Sequence, residues 1–475
     1  MDANKRKIVV AALEAGWAFM SEMVNDEVEG REATDHRKKP RSNRRKFRHG
    51  DARHCINRDY LGIRGDLATP LLGAEFKAMF RVSRSRFQVL LEDIGASEIR
   101  FYQKKKNLDV DEQASLEAKL LLPIKTLAYG VPPHTFIDYF QMSPEYAREC
   151  CRQFDIAVKK IYAQEYLRLP TSDDLRSILQ LHRHVHQVDG LFGSLDCSHT
   201  IWKNCPKAWA GSYTGKPGSP SIILEAVVDY HMFFWHASYG YTGNIGDLNV
   251  LAQSPLLERM VDGSFHTLEN EASVVPFKIG DQEFTKCFIL TDGIYPKFSR
   301  FVKGVKEPIT EEGKKYTAWQ EGARKDVERA FGVLKCTWQF LDRPILKLKL
   351  SEVAMRTTCC IILHNMLTAD RVMGDPRARY VPCASLDECP GVGAVQQPGD
   401  LAAVQGIANI ANNPTHAAAG AAAAPANSGT GLQIGLRNAP PDLLQQVTRK
   451  DRFDELMDAD EHVRLHQSLM NKFGS

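Results

Sequence analysis

Apolar residues between positions 70 and 170 recur mostly at helical spacings, and strand-like runs are few there. One helical stretch, LEAKLLLPIKTLAYG, is predicted to end at Gly130, and a later long helix to begin with Ser143 as N-cap and Pro144 as its first residue. The sequence therefore predicts an all-α domain, which we place at 70–175. In the segment GAEFKAMFRVSRSRFQVLLEDI the apolar positions are Phe76, Phe80, Phe87, Leu90, Leu91 and Ile94.

A short helix, a turn and a long helix follow one another after Gly130, which is the layout of a helix-turn-helix. The candidate recognition helix, Pro144 to Gln164, carries acidic and basic side chains together. An ordinary helical bundle has the same pattern, so both interpretations stay open. The charged residues of that helix include Glu145, Arg148, Glu149, Arg152, Lys159 and Lys160.

From about residue 188 the pattern changes to short β-type runs. GLFGSLDCSH, SIILEAVVDY, FFWHASYG and KCFILTDG are apolar, β-branched or aromatic, and Gly, Pro, Asp or Asn bound them. Two longer helical segments follow, near 319–338 and 350–372. This alternation predicts an α/β domain, which we place at 185–375.

The two ends of the chain differ in composition from the middle. We expect an N-terminal helix and a flexible basic arm over 1–66, and disorder over the Ala/Gly/Pro-rich stretch 376–442. An amphipathic helix is predicted within 443–475. Its residues available for docking are Leu456, Val463, Leu465, Leu469 and Phe473.

Charge is concentrated near the N-terminus. The whole chain of 475 residues has a net charge of +3, whereas residues 31–54 hold ten Lys and Arg and three acids, a net +7. The core of this window, RKKPRSNRRKFR, is typical of a nuclear-import signal or a nucleic-acid-binding arm, and a solvated basic linker is the alternative. No apolar run is long enough to span a membrane. Eleven cysteines, an odd number without a secretory signal, indicate reduced thiols in an intracellular protein.

Three carboxylates are candidates for metal-dependent chemistry. Asp196 lies late in the first strand-like run, and Asp292 ends another, directly before Gly293. Glu328 lies at the edge of the buried stripe predicted for the later helix, which comprises Ala323, Val327, Phe331, Leu334 and Trp338. Two strand-end aspartates and a helical glutamate can hold two divalent ions about 4 Å apart for attack on a phosphodiester, and oxygen ligands favour Mg²⁺ or Mn²⁺. The alternative is a turn-forming Asp-Gly and a solvated Glu.

Other candidate sites have weaker support. Cys197, His199 and Cys205 resemble half a zinc site, but no second pair has the expected spacing. The alternating histidines of HRHVH fit one face of an extended segment, and we expect a surface cluster there and no metal site. Phosphate-loop and GxSxG motifs are missing from the sequence, which disfavours NTP hydrolysis and serine hydrolase chemistry.

Long ordered motifs resemble the PIF/Harbinger-type transposases of the plant and protist branch. They are SLDCSHTIWKNCPKAWAGSYTGKPGSPSIILEAVVDYHMFFWHASYGYTGNIGDLNVLAQSPLLE, then TDGIYPKFSRFV, ARKDVERAFGVLKCTWQFL and CCIILHNML, within about 75–372. The resemblance implies an RNase H-like catalytic domain and a DDE endonuclease that uses Mg²⁺ or Mn²⁺. Asp196 matches the first aspartate, Asp292 the second and Glu328 the glutamate of that family.

Further residues of these motifs are expected around the triad. Asp247, in GNIGDLNVL, is interpreted as a helix-starting or outer-sphere residue rather than a ligand. His199, Lys203 and Lys207 follow the first strand, where phosphate contact and a plain surface role are both open.

The resemblance leaves two functions. The first is a metal-dependent DNA endonuclease or transposase that cleaves phosphodiester bonds. The alternative is a domesticated, catalytically silent DNA-binding or scaffolding protein. For either one we expect location in the nucleus, DNA as partner, a Myb-like DNA-binding partner protein, a homodimer and no membrane contact.

Overall fold

The computed structural model describes residues 46–62, 70–104, 109–262, 276–383 and 456–474. The chain forms two compact units that divide between Ala157 and Val158. The helix predicted at 1–27 and the Ala-rich part of the predicted linker lie outside the described residues.

Helices build the first unit. Their ends follow the local sequence: the Ser143 hydroxyl accepts a hydrogen bond from Tyr146 N at 3.1 Å, and Gly130, at φ 59°, ends the helix before it in a left-handed conformation. Both predicted boundaries are confirmed. In chain order the helices are α1 (His49–Ile56, continued by a π-type turn to Leu61), α2 (Gly73–Phe80), α3 (Arg84–Ala96), α4 (Leu116–Tyr129), α5 (Ile137–Phe140) and α6 (Pro144–Tyr166).

The core of the first unit is aromatic. Phe76 and Phe80 of α2 and Phe87 of α3 are fully buried. The Phe76 ring lies 4.7 Å from the Phe80 ring and 5.8 Å from the Phe87 ring. Of the six predicted core positions in this segment, Leu91 is only half-buried. The helical spacing therefore identified the buried face correctly.

Some charged side chains of the candidate recognition helix α6 form ion pairs with each other. Arg148 pairs with Glu145 at 3.2 Å and Arg152 with Glu149, each three residues apart. Pairs of this kind neutralise basic groups that a phosphate backbone would otherwise contact. The helix is long and capped as predicted, and its exposed Lys159 and Lys160 are not among the residues paired in this way.

Only the end of the basic window, from residue 46, is described. Arg53 donates to Asp111 Oδ1 at 2.9 Å, so this member of the window helps to hold the first unit together. The basic residues before Lys46 lie outside the described residues.

Helices surround a central sheet in the second unit. The helices after α6 are α7 (Ser172–His186), α8 (Lys207–Tyr213), α9 (Asp247–Gln253), α10 (Pro255–Asp262), α11 (Glu311–Thr337), α12 (Leu350–Met373) and α13 (Ala459–Gly474). The strands are β1 (Leu191–Ile201), β2 (Ser221–Val228), β3 (Phe234–Thr242), β4 (Phe277–Ile279), β5 (Gln282–Phe284), β6 (Phe288–Leu290) and β7 (Phe301–Val302). The predicted α/β character of this region is confirmed.

The five-stranded sheet has the order β3-β2-β1-β6-β7, and β4 and β5 form a separate hairpin. β1, β2 and β3 pair antiparallel, whereas β6 pairs parallel to β1 and β7 parallel to β6. Gly193 permits the close approach of β1 to β2, since a Cβ there would lie 2.1 Å from the Val228 carbonyl oxygen. β1 is therefore the junction between the antiparallel and parallel halves.

The C-terminal helix α13 belongs to the core of the second unit. Leu465 and Leu469 are buried with Leu290 of β6 and Tyr316 of α11, and the Phe473 ring stacks on Trp319 at 4.0 Å. Four of the five predicted docking residues are buried or partly buried. Val463 is the exception: it is 60% exposed, because it lies on the opposite side of the helix from Leu465.

The HRHVH histidines lie in a helix, so the interpretation as an extended segment is wrong. A capping box at Thr171 and Asp174 starts α7, and the helix runs through His186. Helical geometry puts His182 and His186 on one face and turns His184 outward. His182 is buried, which contradicts the predicted surface cluster.

Within the described residues, no helix is long and apolar enough to cross a membrane. The ten described cysteines are all free thiols, as their number in the sequence predicts.

A buried asparagine explains one of the sequence motifs, CCIILHNML. Asn365 of α12 accepts a hydrogen bond from Phe234 N at 2.9 Å and donates to the carbonyls of Tyr166 at 2.7 Å and Phe234 at 3.0 Å. It thereby satisfies three buried backbone groups, at the end of α6 and the start of β3.

Replacing Asn365 with leucine should destabilise the protein by about 3 kcal/mol or more, because each buried backbone group left unpaired costs roughly 1–3 kcal/mol. Denaturant unfolding measures the effect. Asn204→Ala is the matched control, since Asn204 makes one exposed hydrogen bond, to the Leu346 carbonyl at 2.7 Å. That control should lose less than about 1 kcal/mol, and equal losses in the two variants would contradict this role for Asn365.

Candidate active site

Asp196 and Asp292 lie at the same edge of two neighbouring parallel strands. In the register of β1 and β6, Ser194 pairs with Leu290, and each aspartate comes two residues after that pair. The register therefore puts the two aspartates at the same edge of the sheet, with Asp196 within β1 and Asp292 in the loop two residues after the last residue of β6.

Buried hydrogen bonds fix the position of α11 on this edge. Gln320 donates to the carbonyls of Thr291 at 3.0 Å and Val302 at 3.2 Å, just beyond β6 and at the end of β7. Positions 320, 324 and 328 are four apart, so they form one row along the helix. Gln320 thus anchors the row that also contains Arg324 and Glu328.

Arg324 joins two of the candidate carboxylates. Its guanidinium lies 3.3 Å from Asp196 Oδ2 and 2.9 Å from Glu328 Oε1. Glu328 is half-exposed at the edge of the buried stripe, as its spacing predicts, and all five predicted stripe residues are buried. Among the described residues, the three candidate carboxylates are not gathered within 4.8 Å of one another. Asp196 and Glu328 share a cation of the protein itself.

Asp196 resists ionisation. Burial raises the pKa of its carboxyl to about 6, and the negative charges of Glu328 and Asp247 act in the same direction. The Cys197 N–H, which donates to Asp196 Oδ1 at 2.8 Å, and the Arg324 guanidinium oppose that rise. A carboxyl that is this costly to charge has a strong electrostatic preference for a nearby cation.

Asp292 is exposed at the mouth of an open cavity. Its Oδ1 accepts a hydrogen bond from Gly293 N at 2.6 Å. The same cavity is lined by Arg324, by three lysines and by two histidines of α13. These are Lys297, Lys303, Lys306, His462 and His466.

Two of those cavity residues hold backbone in place. Lys303 donates to the carbonyls of Tyr295 at 2.7 Å and Gly293 at 3.3 Å, which fixes the loop after Asp292. His466 bonds to the carbonyl of Lys303 at 2.8 Å. The C-terminal helix therefore forms one wall of the candidate site.

The other predicted residues lie around this edge. Asp247 is the first residue of α9, as predicted, and it acts electrostatically on Asp196. The His199 ring bonds to Ser221 Oγ at 3.0 Å, and burial lowers its pKa. His199 comes three positions after Asp196 in β1. Because side chains alternate along a strand, the two side chains point to opposite faces of the sheet. Lys203 and Lys207 are exposed.

Sequence reasoning missed Arg324, the lysine-lined cavity and the contribution of α13. Arg324 could have been found, because it precedes Glu328 by four residues, the spacing of helical ion pairs. The cavity could not, because α13 is far away in sequence and nothing in its composition indicates which surface it covers.

One protein family resembles the part of the chain that contains this site. Residues 164–374 match the family model described as Plant transposon protein. The matched segment contains Asp196, Asp292 and Glu328 and ends directly after α12. No curated protein and no solved structure gave a match. The edge of the sheet that carries the candidate residues therefore lies inside a segment similar to transposon proteins.

Replacing Arg324 with glutamine should raise the pKa of Asp196 further above about 6 and destabilise the metal-free protein by about 1–2 kcal/mol at pH 8. When folding raises the pKa of a carboxyl, the folded protein loses stability as the pH rises. For Asp196 this loss occurs between the ordinary pKa of 3.8 and the raised pKa in the folded protein. The loss in the variant should therefore be larger at pH 8 than at pH 5. Denaturant midpoints in chelator measure it, with the exposed neighbour Lys325→Gln as control. An equal loss at both pH values would contradict this electrostatic role.

Proposed function

We propose that the protein is a metal-dependent DNA endonuclease of the DDE type, related to transposases. The observation that supports this proposal best is the register of β1 and β6, with Asp196 and Asp292 at one edge of the sheet and Glu328 in the same helix row as Arg324, which contacts Asp196. The match of residues 164–374 to a transposon protein family supports it.

The topology supports an RNase H-like fold for the second unit. The central strand β1 has an antiparallel partner on one side and a parallel partner on the other. Asp196 lies on that central strand and Asp292 follows its parallel neighbour, while the glutamate comes from a helix packed on the sheet. This is the arrangement that the resemblance to PIF/Harbinger-type transposases implies.

The donor set fits Mg²⁺ or Mn²⁺. Asp196, Asp292 and Glu328 supply only oxygen ligands, which are the ligands that these two ions prefer. A divalent ion there would supply Lewis-acid stabilisation of the scissile phosphate and a more acidic bound water. Asp196 would hold it from β1, Asp292 from the loop after β6, and Glu328 from α11.

Arg324 has a double role in this proposal. Its guanidinium balances the charges of Asp196 and Glu328 when no ion is bound to them. Ion binding to both carboxylates requires that this side chain turn away from them, toward the cavity that it also lines. There it would join Lys297 and Lys306 in contact with a phosphate backbone, since guanidinium and ammonium groups bind phosphate oxygens.

The substrate proposed is DNA, with its backbone lying in the cavity beside Asp292. Lys297 and Lys306 are exposed on the cavity wall, and Lys303 supports the loop after Asp292. Contacts to the phosphate backbone carry no sequence information. Target choice would therefore come from another element or from a Myb-like partner protein, and a homodimer fits the same scheme.

The ion pairs of Arg324 also favour a second candidate function. A site neutralised by its own arginine is stable without a metal, as a domesticated, catalytically silent DNA-binding or scaffolding protein requires. DNA binding without cleavage would identify this alternative.

For either function we propose location in the nucleus, directed by the basic run 37–48. Alanine substitution of that run in a fluorescent fusion tests this part of the proposal. Arg53 is left intact, because it pairs with Asp111. Nuclear accumulation that survives the substitution would contradict it.

Supercoiled DNA should be cut by the purified protein in Mg²⁺ or Mn²⁺, and the single variants Asp196→Asn, Asp292→Asn and Glu328→Gln should lose at least about 100-fold in rate. Each removes charge from the donor set that stabilises the transition state. Gel assays of nicked and linear product measure the rate.

Glu312→Gln is the matched control, an exposed acid near the start of α11 whose loss should leave cleavage unchanged. Cleavage that persists in excess chelator, or in the Asp196 variant, would exclude the metal-dependent mechanism. Binding of DNA with no cutting in any divalent ion would favour the silent alternative.

A further inference from the structure

A second cluster of ligand-type side chains lies on the other side of α11. His182 and His186 of α7 and Asp326 of α11 each offer one ligand atom, and these three atoms all lie within 4.8 Å of one another. Asp326 Oδ2 is 3.0 Å from His186 Nε2, and Arg329 contacts its other oxygen. The cluster is separate from the carboxylates of the candidate active site, since Asp326 points away from the row of Arg324 and Glu328.

His182 is the unusual member of this cluster. Its side chain is 1% exposed, and neither ring nitrogen makes a hydrogen bond of normal geometry. Burial lowers the pKa of His182 well below its ordinary value, and the nearby His186 and His231 act in the same direction, while the Phe192 backbone opposes them. A buried imidazole whose backbone contact falls short of normal hydrogen-bond geometry is costly, unless a nitrogen lone pair has another use.

The chemistry of the cluster is that of a zinc ligand set. Two histidines four residues apart on one helix face, joined by a carboxylate from another element, bind Zn²⁺ through neutral imidazole nitrogens and a carboxylate oxygen. The His182 and His186 rings are already stacked at 5.3 Å, and both ends of the set lie on rigid helices. His186 is 14% exposed, which leaves an entry path and room for water as a fourth ligand.

We propose that His182, His186 and Asp326 bind one Zn²⁺ ion that links α7 to α11. Because Asp326 lies between Arg324 and Glu328 in the chain, this ion would fix the rotation of α11 and hence the presentation of both residues. The site would be structural and independent of the carboxylate site. The alternative is a metal-free hydrogen-bonded network of His186, Asp326 and Arg329.

Cobalt titration of the chelator-stripped full-length protein tests the proposal, because Co²⁺ bound to two histidines and a carboxylate gives a visible absorption band. One equivalent should bind, Zn²⁺ should displace it, and Zn²⁺ should raise the Tm. His182→Gln and His186→Gln should each weaken metal binding by about 10-fold or more. Loss of a residue that only supports a metal ligand already weakens binding by about 10–100-fold.

Two controls separate this site from others. His184→Gln, an exposed histidine of the same helix, should retain the band, and so should Asp292→Asn, which alters the carboxylate site. Because His182 is buried and its variant could misfold, His186, which is 14% exposed, provides the second variant. The proposal fails if the wild-type protein gives no band, if a folded His186→Gln protein retains it, or if Asp292→Asn abolishes it.

Discussion

The parallel pairing of β1 with β6 is the constraint on which the candidate active site depends. It aligns Asp196 with Asp292 at one edge of the sheet. Burial raises the pKa of the Asp196 carboxyl to about 6, and the negative charges of Glu328 and Asp247 act in the same direction. Arg324 lies between Asp196 and Glu328, and lysines line the adjoining cavity.

Helix α11 connects this charge to the rest of the second unit. Its apolar stripe packs on the sheet, and buried Gln320 fixes it to the ends of β6 and β7. On one side of the stripe lie Arg324 and Glu328, and on the other Asp326 faces the histidines of α7. The C-terminal helix α13 packs against α11 through Leu465 and Leu469. Small rotations of one helix would therefore alter the active edge, the histidine cluster and the cavity together.

Local patterns predicted much of this arrangement from the sequence. Spacing identified the buried stripe of α11 and the edge position of Glu328. The cap residues Gly130 and Ser143 predicted where α4 ends and where α6 begins. The same local rules failed for HRHVH, because alternation suits a strand, whereas the capping box at Thr171 commits the segment to a helix. They also failed for Val463, since helical spacing does not say which side another element covers.

The sequence could not predict which distant segments of the chain contact each other. The register of β1 and β6 joins residues almost a hundred positions apart, and the bridging role of Arg324 becomes visible only once that register is known. Likewise, the burial of His182 depends on packing partners from other elements, including His231. A resemblance can name the three carboxylates, but it cannot show that an arginine balances two of them.

The most direct test of the central claim is an anomalous difference map from crystals of the protein grown with Mn²⁺. The account predicts density for manganese held by Asp196, Asp292 and Glu328, with the Arg324 guanidinium turned away from the two carboxylates that it otherwise bridges. Manganese bound elsewhere on the second unit, with Arg324 still joined to both Asp196 and Glu328, would contradict it.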